Sequence, residues 1–365
     1  MKLKTIVEAI ESFAPLALQE SYDNSGLICG DWDMEISSAL IALDLTDAVL
    51  DEALAAGCNL IITHHPLVFH ALKKFPENDP TTRLLLRAIR HHLAIYAAHT
   101  SLDNSVGGVS YFMATKLALT RIQVLSPVRN QLMKLITFVP HQHAAAVRQA
   151  LFDAGAGHIG DYDQCSFNVE GYGTFRGAAG TNPYVGQPGI QHREEETRIE
   201  VILPAFISSR VLKALKESHP YEEVAYDLVP LANDWQYAGA GIIGELPRPM
   251  TAGEFLTLLK QTFRCAVIRH STPLPKPILN VALCGGAGSF LLDKAIAAGA
   301  DAFVTADVGY HRFFEAQNRT LLCDIGHYES EQFTAELLLS GLKDKLPTFA
   351  ARISAQSTNP VNYFS

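Results

Sequence analysis

Ile61-Ile62-Thr63-His64-His65-Pro66 decides how the rest of the chain is read. Leu60 to Ile62 is an apolar run of the kind that forms a strand buried on both faces. Pro66 cannot donate to a sheet ladder, so the strand ends at the imidazoles and His64 and His65 stand at its tip. Side chains on a regular strand alternate between faces. Adjacent histidines therefore reach one ion only where the backbone turns between them, and they serve two ions more naturally. For an isolated pair, one buried and one surface histidine is the plain alternative.

An internal echo shifts the balance. Ala55-Ala56-Gly57-Cys58-Asn59-Leu60-Ile61-Ile62-Thr63-His64-His65 aligns without a gap on Ala297-Ala298-Gly299-Ala300-Asp301-Ala302-Phe303-Val304-Thr305-Ala306-Asp307, placing His65 on Asp307. Further on, Ala97-Ala98-His99-Thr100-Ser101-Leu102-Asp103 matches Ile325-Gly326-His327-Tyr328-Glu329-Ser330-Glu331, each with an imidazole four residues before a carboxylate. That spacing at a helix start puts both groups on one face. Histidine with aspartate or glutamate is a donor set for zinc, iron or manganese. His64, His65, Asp103, His327 and Glu331 are accordingly the candidate metal ligands, enough to bridge two divalent cations. His99 either joins them, orients Asp103 or handles protons during catalysis. Asp307 and His311, near the matching strand tip, either hold a water and donate a proton or are merely a helix cap and a surface imidazole. Gly285-Gly286-Ala287-Gly288-Ser289 follows a strand and opens a helix, which suits a phosphate cradle or a tight turn equally.

The chain order predicts an α/β fold of two pseudo-repeated halves, residues 1–128 and 244–365, forming a metal-binding core. The first half reads as a strand over 36–45, a helix over 47–56, the histidine strand, a helix over 80–93 and a strand over 94–98. Metal candidates recur at the carboxyl ends of strands, where open α/β sheets place their sites. Residues 129–243 interrupt the core with the order β-α-β-β-α-β, the split βαβ pattern of a ferredoxin-like domain. Near the end of that insert, His219-Pro220-Tyr221-Glu222-Glu223 reads as a lid or partner surface, or as a helix stop and turn. The long helices expected over 5–20 and 327–342 bracket the core, and residues 343–365 read as an extended tail without chemistry.

Composition narrows the classes. At 365 residues the chain exceeds one ordinary core. Its 48% hydrophobic and 18% charged residues are those of a soluble globular protein, and no apolar run approaches the ~18 residues of a membrane helix. A net charge of −9 and no Lys/Arg run argue against nucleic acid as a partner. Six scattered cysteines with no Cys-x-x-Cys, and an amino terminus leading into an amphipathic helix, make a cytoplasmic protein the expectation.

Tyr22-Asp23-Asn24-Ser25-Gly26-Leu27, Thr63-His64-His65-Pro66, His99-Thr100-Ser101-Leu102-Asp103-Asn104, Thr305-Ala306-Asp307 and Gly326-His327-Tyr328-Glu329-Ser330-Glu331, in this order, resemble the motifs of the NIF-three-like dinuclear-metal family. Its bacterial members are labelled GTP cyclohydrolase I type 2 homologues. The resemblance spans nearly the whole chain and departs at Ala306, where a glycine is expected. It implies two metal ions on His64, His65, Asp103, His327 and Glu331, and a toroidal homohexamer with sites facing an internal cavity. It further implies that the insert is the middle domain of the longer members. The reaction expected on these grounds is metal-dependent hydrolysis of a nucleotide-like or heterocyclic small molecule, of cyclohydrolase or phosphoesterase type. The rival expectation is a non-catalytic metal carrier or regulator.

Overall fold

A computed structural model describes residues 1–364. Contacts divide the chain into two units: Met1–Pro127 with the segment from Gln236 onward, and Val128–Trp235 between them.

The first unit contains two sheets built to one plan. In one, Gly26–Cys29 runs antiparallel to Ala94–Ala97, which is followed by Leu60–Thr63, Ala39–Ala42 and Ala351–Ile353, all parallel. In the other, Arg269–His270 is antiparallel to Leu321–Asp324, with Ala302–Thr305 and Ile278–Leu283 parallel beyond it, then Trp235–Met250 and Thr120–Val128. An antiparallel edge followed by three parallel strands in reverse chain order occurs twice. The repeat is therefore one of topology as well as sequence.

Strands buried on both faces explain the unbroken apolar runs. Ile41, Ile62 and Tyr96 face helices Leu3–Glu11 and Thr334–Lys345, while the alternate residues Leu40, Ile61 and Ile95 face helices Asp47–Ala55 and Pro80–Arg90. In the second sheet Val281, Val304 and Cys323 pack on Phe255 and Leu259, and Ala282, Phe303 and Leu322 pack on Leu292 and Ala295.

The repeat extends to a polar detail. The Asn59 carboxamide accepts from the Ser37 backbone N–H (2.9 Å) and donates to the Glu35 carbonyl (2.8 Å), fixing the chain ahead of strand Ala39–Ala42. Its counterpart Asp301 accepts from the Leu279 and Asn280 N–H groups (3.0 and 2.9 Å) and from Lys276 Nζ (2.6 Å). Burial opposes the Asp301 charge, but these donors hold its carboxyl below the usual range. A carboxyl lowered in the folded state stabilises above its unfolded value, and the contribution disappears as pH falls through the folded one. Asp301→Asn is expected to cost about 1.5–3 kcal/mol at pH 7. It should also flatten the acid limb of stability below about pH 4, read by urea unfolding across pH; an acid limb as steep as that of the parent would contradict this account.

The second unit has the order β-α-β-β-α-β. Its antiparallel sheet runs Phe167–Phe175, His192–Pro204, Leu132–Pro140, Tyr226–Pro230, the split βαβ arrangement. Val147 and Leu151 of helix Ala144–Asp153 and Val211 and Leu215 of helix Ser208–Ser218 bury against Leu135, Val139, Ile199 and Val201.

Four sequence expectations need correction. The insert ends at Trp235 rather than 243, because Ile242 and Ile243 already pair with Leu283 and Ala282 of the second core sheet. The helix expected over 5–20 stops at Glu11, ahead of Pro15, and Leu16–Leu18 forms a short 3-10 turn. The helix expected over 327–342 divides into His327–Glu331 and Thr334–Lys345. The tail is structured: Ala351–Ile353 adds an edge strand, and the Ser354 hydroxyl and Ala355 N–H donate to the Glu52 carboxylate.

Candidate metal centre

The first parallel strand delivers its two histidines to one place. Beyond Thr63 the ladder breaks: the His64 and His65 N–H groups both turn to the Leu43 carbonyl, and Thr63 Oγ1 donates to the His65 carbonyl (2.7 Å). This turn brings the two imidazoles together, with ring centroids 4.9 Å apart. Asp103 comes from the short helix Thr100–Asp103, and His327 and Glu331 from one face of helix His327–Glu331. Gly286, at φ +60°, completes the pocket. A Cβ there would lie 2.3 Å from Glu331 Oε1, so only a residue without one leaves the carboxylate in place.

Distances separate the donors into two groups that share a carboxylate. His64 Nε2 lies 3.6 Å from Asp103 Oδ1 and 3.7 Å from Glu331 Oε1. His65 Nε2 and His327 Nε2 lie 3.0 and 3.1 Å from Glu331 Oε2 and 3.3 Å from each other. Each group, His64 with Asp103 and Glu331, and His65 with His327 and Glu331, keeps its donor atoms within 4.8 Å of one another and could hold a metal ion. His64, His65 and His99 form a third such group.

The outer nitrogens explain why these atoms point inward. His64 Nδ1 meets the Ala98 carbonyl (2.8 Å), His65 Nδ1 meets Asp44 (2.7 Å), His327 Nδ1 meets Asp307 (2.6 Å) and His99 Nδ1 meets Asp23 (2.7 Å). An oxygen acceptor at every Nδ1 fixes the proton there, leaving a neutral ring's Nε2 lone pair free for a cation. His64 Nε2, Asp103 Oδ1 and Glu331 Oε2 are buried with no aligned hydrogen bond. Buried polar atoms in that condition are costly, and a divalent cation is the partner this donor set suits.

Charge is finely divided in the cluster. Burial works to lower the His65 pKa, but Asp44 and Glu331 outweigh it and raise it to about 10. The Glu331 carboxylate raises His327 to about 9 against burial. Burial raises the Asp103 carboxyl, whereas at Glu331 the imidazoles, His64 first, override burial and hold that carboxyl well below its usual range. Cys284 lines the same space, and burial pushes its thiol up.

The five expected metal ligands are thus gathered in one place, with His99 beside them at 5.3 Å between ring centroids from both His64 and His65. His311 is not among the clustered donors. Asp307 takes a left-handed φ of 52° and turns the chain away, leaving His311 exposed and edge-on to Tyr310. Asp307 itself faces His327. The glycine turn at 285–289 is no phosphate cradle, since Ser110, Ser330 and Thr305 hydroxyls take the N–H groups of Gly285, Gly286 and Gly288.

Two carboxylates escaped the sequence reading. Asp44 follows strand Ala39–Ala42, the same carboxyl-end position that singled out the histidines, and Thr358 of the tail donates to its second oxygen (2.7 Å). Asp23 accepts from Ser25 and Thr100 as well as His99; burial opposes its charge, yet these bonds hold its carboxyl far below the usual range. Asp44→Asn is expected to weaken retention of a cation at His65 by about 10–100-fold. Competition with a chromophoric chelator would measure this, and unchanged retention would mean that Asp44 does not orient the ring.

Two cavities flank the cluster. One, of about 410 Å³, is bounded by His99, Asp103, Glu331, Tyr22, Phe69 and Phe290. The other, of about 480 Å³, lies beside Asp44, His327, Arg269, Tyr328 and Tyr363. No helix among the described residues is long and apolar enough to cross a membrane.

Comparison with known proteins places these features in company. The family model described as Duf34/NIF3 (NGG1p interacting factor 3) matches residues 1–360. A Halalkalibacterium halodurans protein named GTP cyclohydrolase 1 type 2 homolog is 40% identical over 365 residues, covering 99% of this chain and 98% of that one. A Bacillus subtilis protein of the same name is 35% identical, covering 98% and 97%. The crystal structure of a Bacillus cereus protein related to NIF3 superposes with a TM-score of 0.88 at 36% identity, covering 100% of this chain and 99% of that one.

Proposed function

The chain belongs to the Duf34/NIF3 family, and from that premise we propose that it is a metal-dependent hydrolase acting on a small nucleotide-like or heterocyclic molecule. The observation that carries this reading is the inward array of Nε2 atoms around one shared carboxylate, each ring held from behind by an oxygen. His64 and Asp103 would hold one divalent cation, His65 and His327 the other, with Glu331 between them. Zinc, iron and manganese all suit these donors. When bound, such a pair supplies Lewis acidity to a substrate oxygen and acidifies a water at neutral pH.

The remaining residues bind and move protons. His99, held by Asp23 through Nδ1, lines the cavity of about 410 Å³ and would take a proton from water and return it to a leaving group. Tyr22, Phe69 and Phe290 offer flat walls to a heterocycle. The chain assembles as a homohexamer on this reading, as the resemblance of its motifs implies.

The test compares metal-loaded protein with His65→Ala on a panel of nucleotides and phosphoesters. Turnover by the parent that vanishes in the variant supports the hydrolase. No turnover of any compound by protein that keeps its metal would overturn it in favour of a carrier or regulator.

A further inference from the structure

The second unit holds a cavity of its own, of about 300 Å³, between the end of strand Phe167–Phe175, the 177–184 loop and the turn after helix Ser208–Ser218. Phe138, Phe175, Tyr184 and Tyr221 bound it. The Tyr221 ring centroid lies 6.0 Å from that of Phe175 and 6.3 Å from that of Tyr184. Glu196 is 8% exposed and also lines this space. Its Oε1 accepts from the Tyr221 hydroxyl (2.8 Å), and its Oε2 keeps access to solvent. Gly173 makes that placement possible, since a Cβ there would lie 2.2 Å from Oε2.

Three further facts define what fits. Burial, with Glu196 beside it, pushes the Tyr221 phenol up, so it remains a donor to the carboxylate and cannot replace a ligand's charge. Glu222 and Glu223 stand at the rim with Arg176, giving three acids against one base around an aromatic box. Glu222 is occupied by the Asn182 N–H, which fixes the loop over the cavity. A largely buried carboxylate attracts a charged donor, and aromatic faces attract a cation. The volume matches the lower end of small-molecule sites.

We propose that this cavity binds a small organic cation with N–H donors, an amidinium or guanidinium on a short or flat apolar body, whose donors complete Glu196 while Phe175, Tyr184 and Tyr221 enclose its face. The motif His219-Pro220-Tyr221-Glu222-Glu223 then acquires a role: it stops the helix and sets one wall of the site. His219 supports it, with Nε2 donating to the Phe138 carbonyl (3.0 Å) and Nδ1 accepting from the Tyr221 N–H (3.1 Å).

Benzamidine and benzamide differ in charge and donors at nearly equal size. Titrated into the full-length metal-loaded protein by calorimetry, benzamidine should bind at least about tenfold more tightly than benzamide. Glu196→Gln should abolish that preference. Gly173→Ala, which keeps the charge but displaces the carboxylate, should do the same, and thermal melts of both variants establish that the unit is folded. Equal binding of the two compounds, no binding of either, or a preference that survives both substitutions would overturn the proposal. So would a preference lost in His65→Ala instead, because the cation would then be at the metal centre.

Discussion

Glu331→Gln is expected to empty both cation positions at once. Glu331 is the carboxylate that the two groups of donors share, and it is 3% exposed, so no water can take its place without rearrangement. Removing one member of a buried charged set costs about 3–5 kcal/mol, roughly a hundredfold to a few thousandfold in affinity. Elemental analysis after gel filtration should find close to two metal ions per chain in the parent and almost none in this variant. His65→Ala, which leaves His64, Asp103 and Glu331 in place, should retain about one. A Glu331→Gln protein that still carries two ions would show that the shared carboxylate is not what holds them.

The second large effect is on stability. Without a cation the cluster crowds three imidazoles and two carboxylates together and leaves His64 Nε2 and Asp103 Oδ1 unpaired. A cation that binds the folded chain alone adds about 4 kcal/mol when its concentration is a thousand times its Kd. For a unit of this size that corresponds to roughly 8–16 °C in melting temperature. Calorimetric scans of chelator-treated protein, with and without zinc or manganese, should therefore differ by that order. Magnesium, which prefers an all-oxygen octahedral shell, should do far less. Coincident melts with and without zinc would count against cation binding at this site.

Legibility in the sequence followed how far each feature depends on distant residues. The histidine strand and its echo could be read because burial on both faces leaves an unbroken apolar run, and because Pro66 marks where the run stops. Asp44 was passed over because one aspartate between strand and helix resembles any N-terminal cap. Its role exists only once strands Ala39–Ala42 and Leu60–Thr63 lie side by side. His311 was grouped with the site because it lies near the strand tip, and the left-handed turn at Asp307, which carries it away from the cluster, has no mark in the sequence. The tail looked featureless because three residues are too few to declare a strand, and its partner Ala39–Ala42 lies at the other end of the chain. In the insert the β-α-β-β-α-β order was visible, but the role of Gly173 was not: it depends on Glu196 crossing from the neighbouring strand.

The pairing of His65 with His327 joins residues 262 positions apart. During translation, the amino-terminal imidazoles emerge long before the helix that supplies their partners, so a ribosome-bound intermediate offers an ion only a partial set of donors. On the proposed reading the donor set would be completed only late in biosynthesis, and products truncated before Glu331 would lack the carboxylate that both groups of donors share.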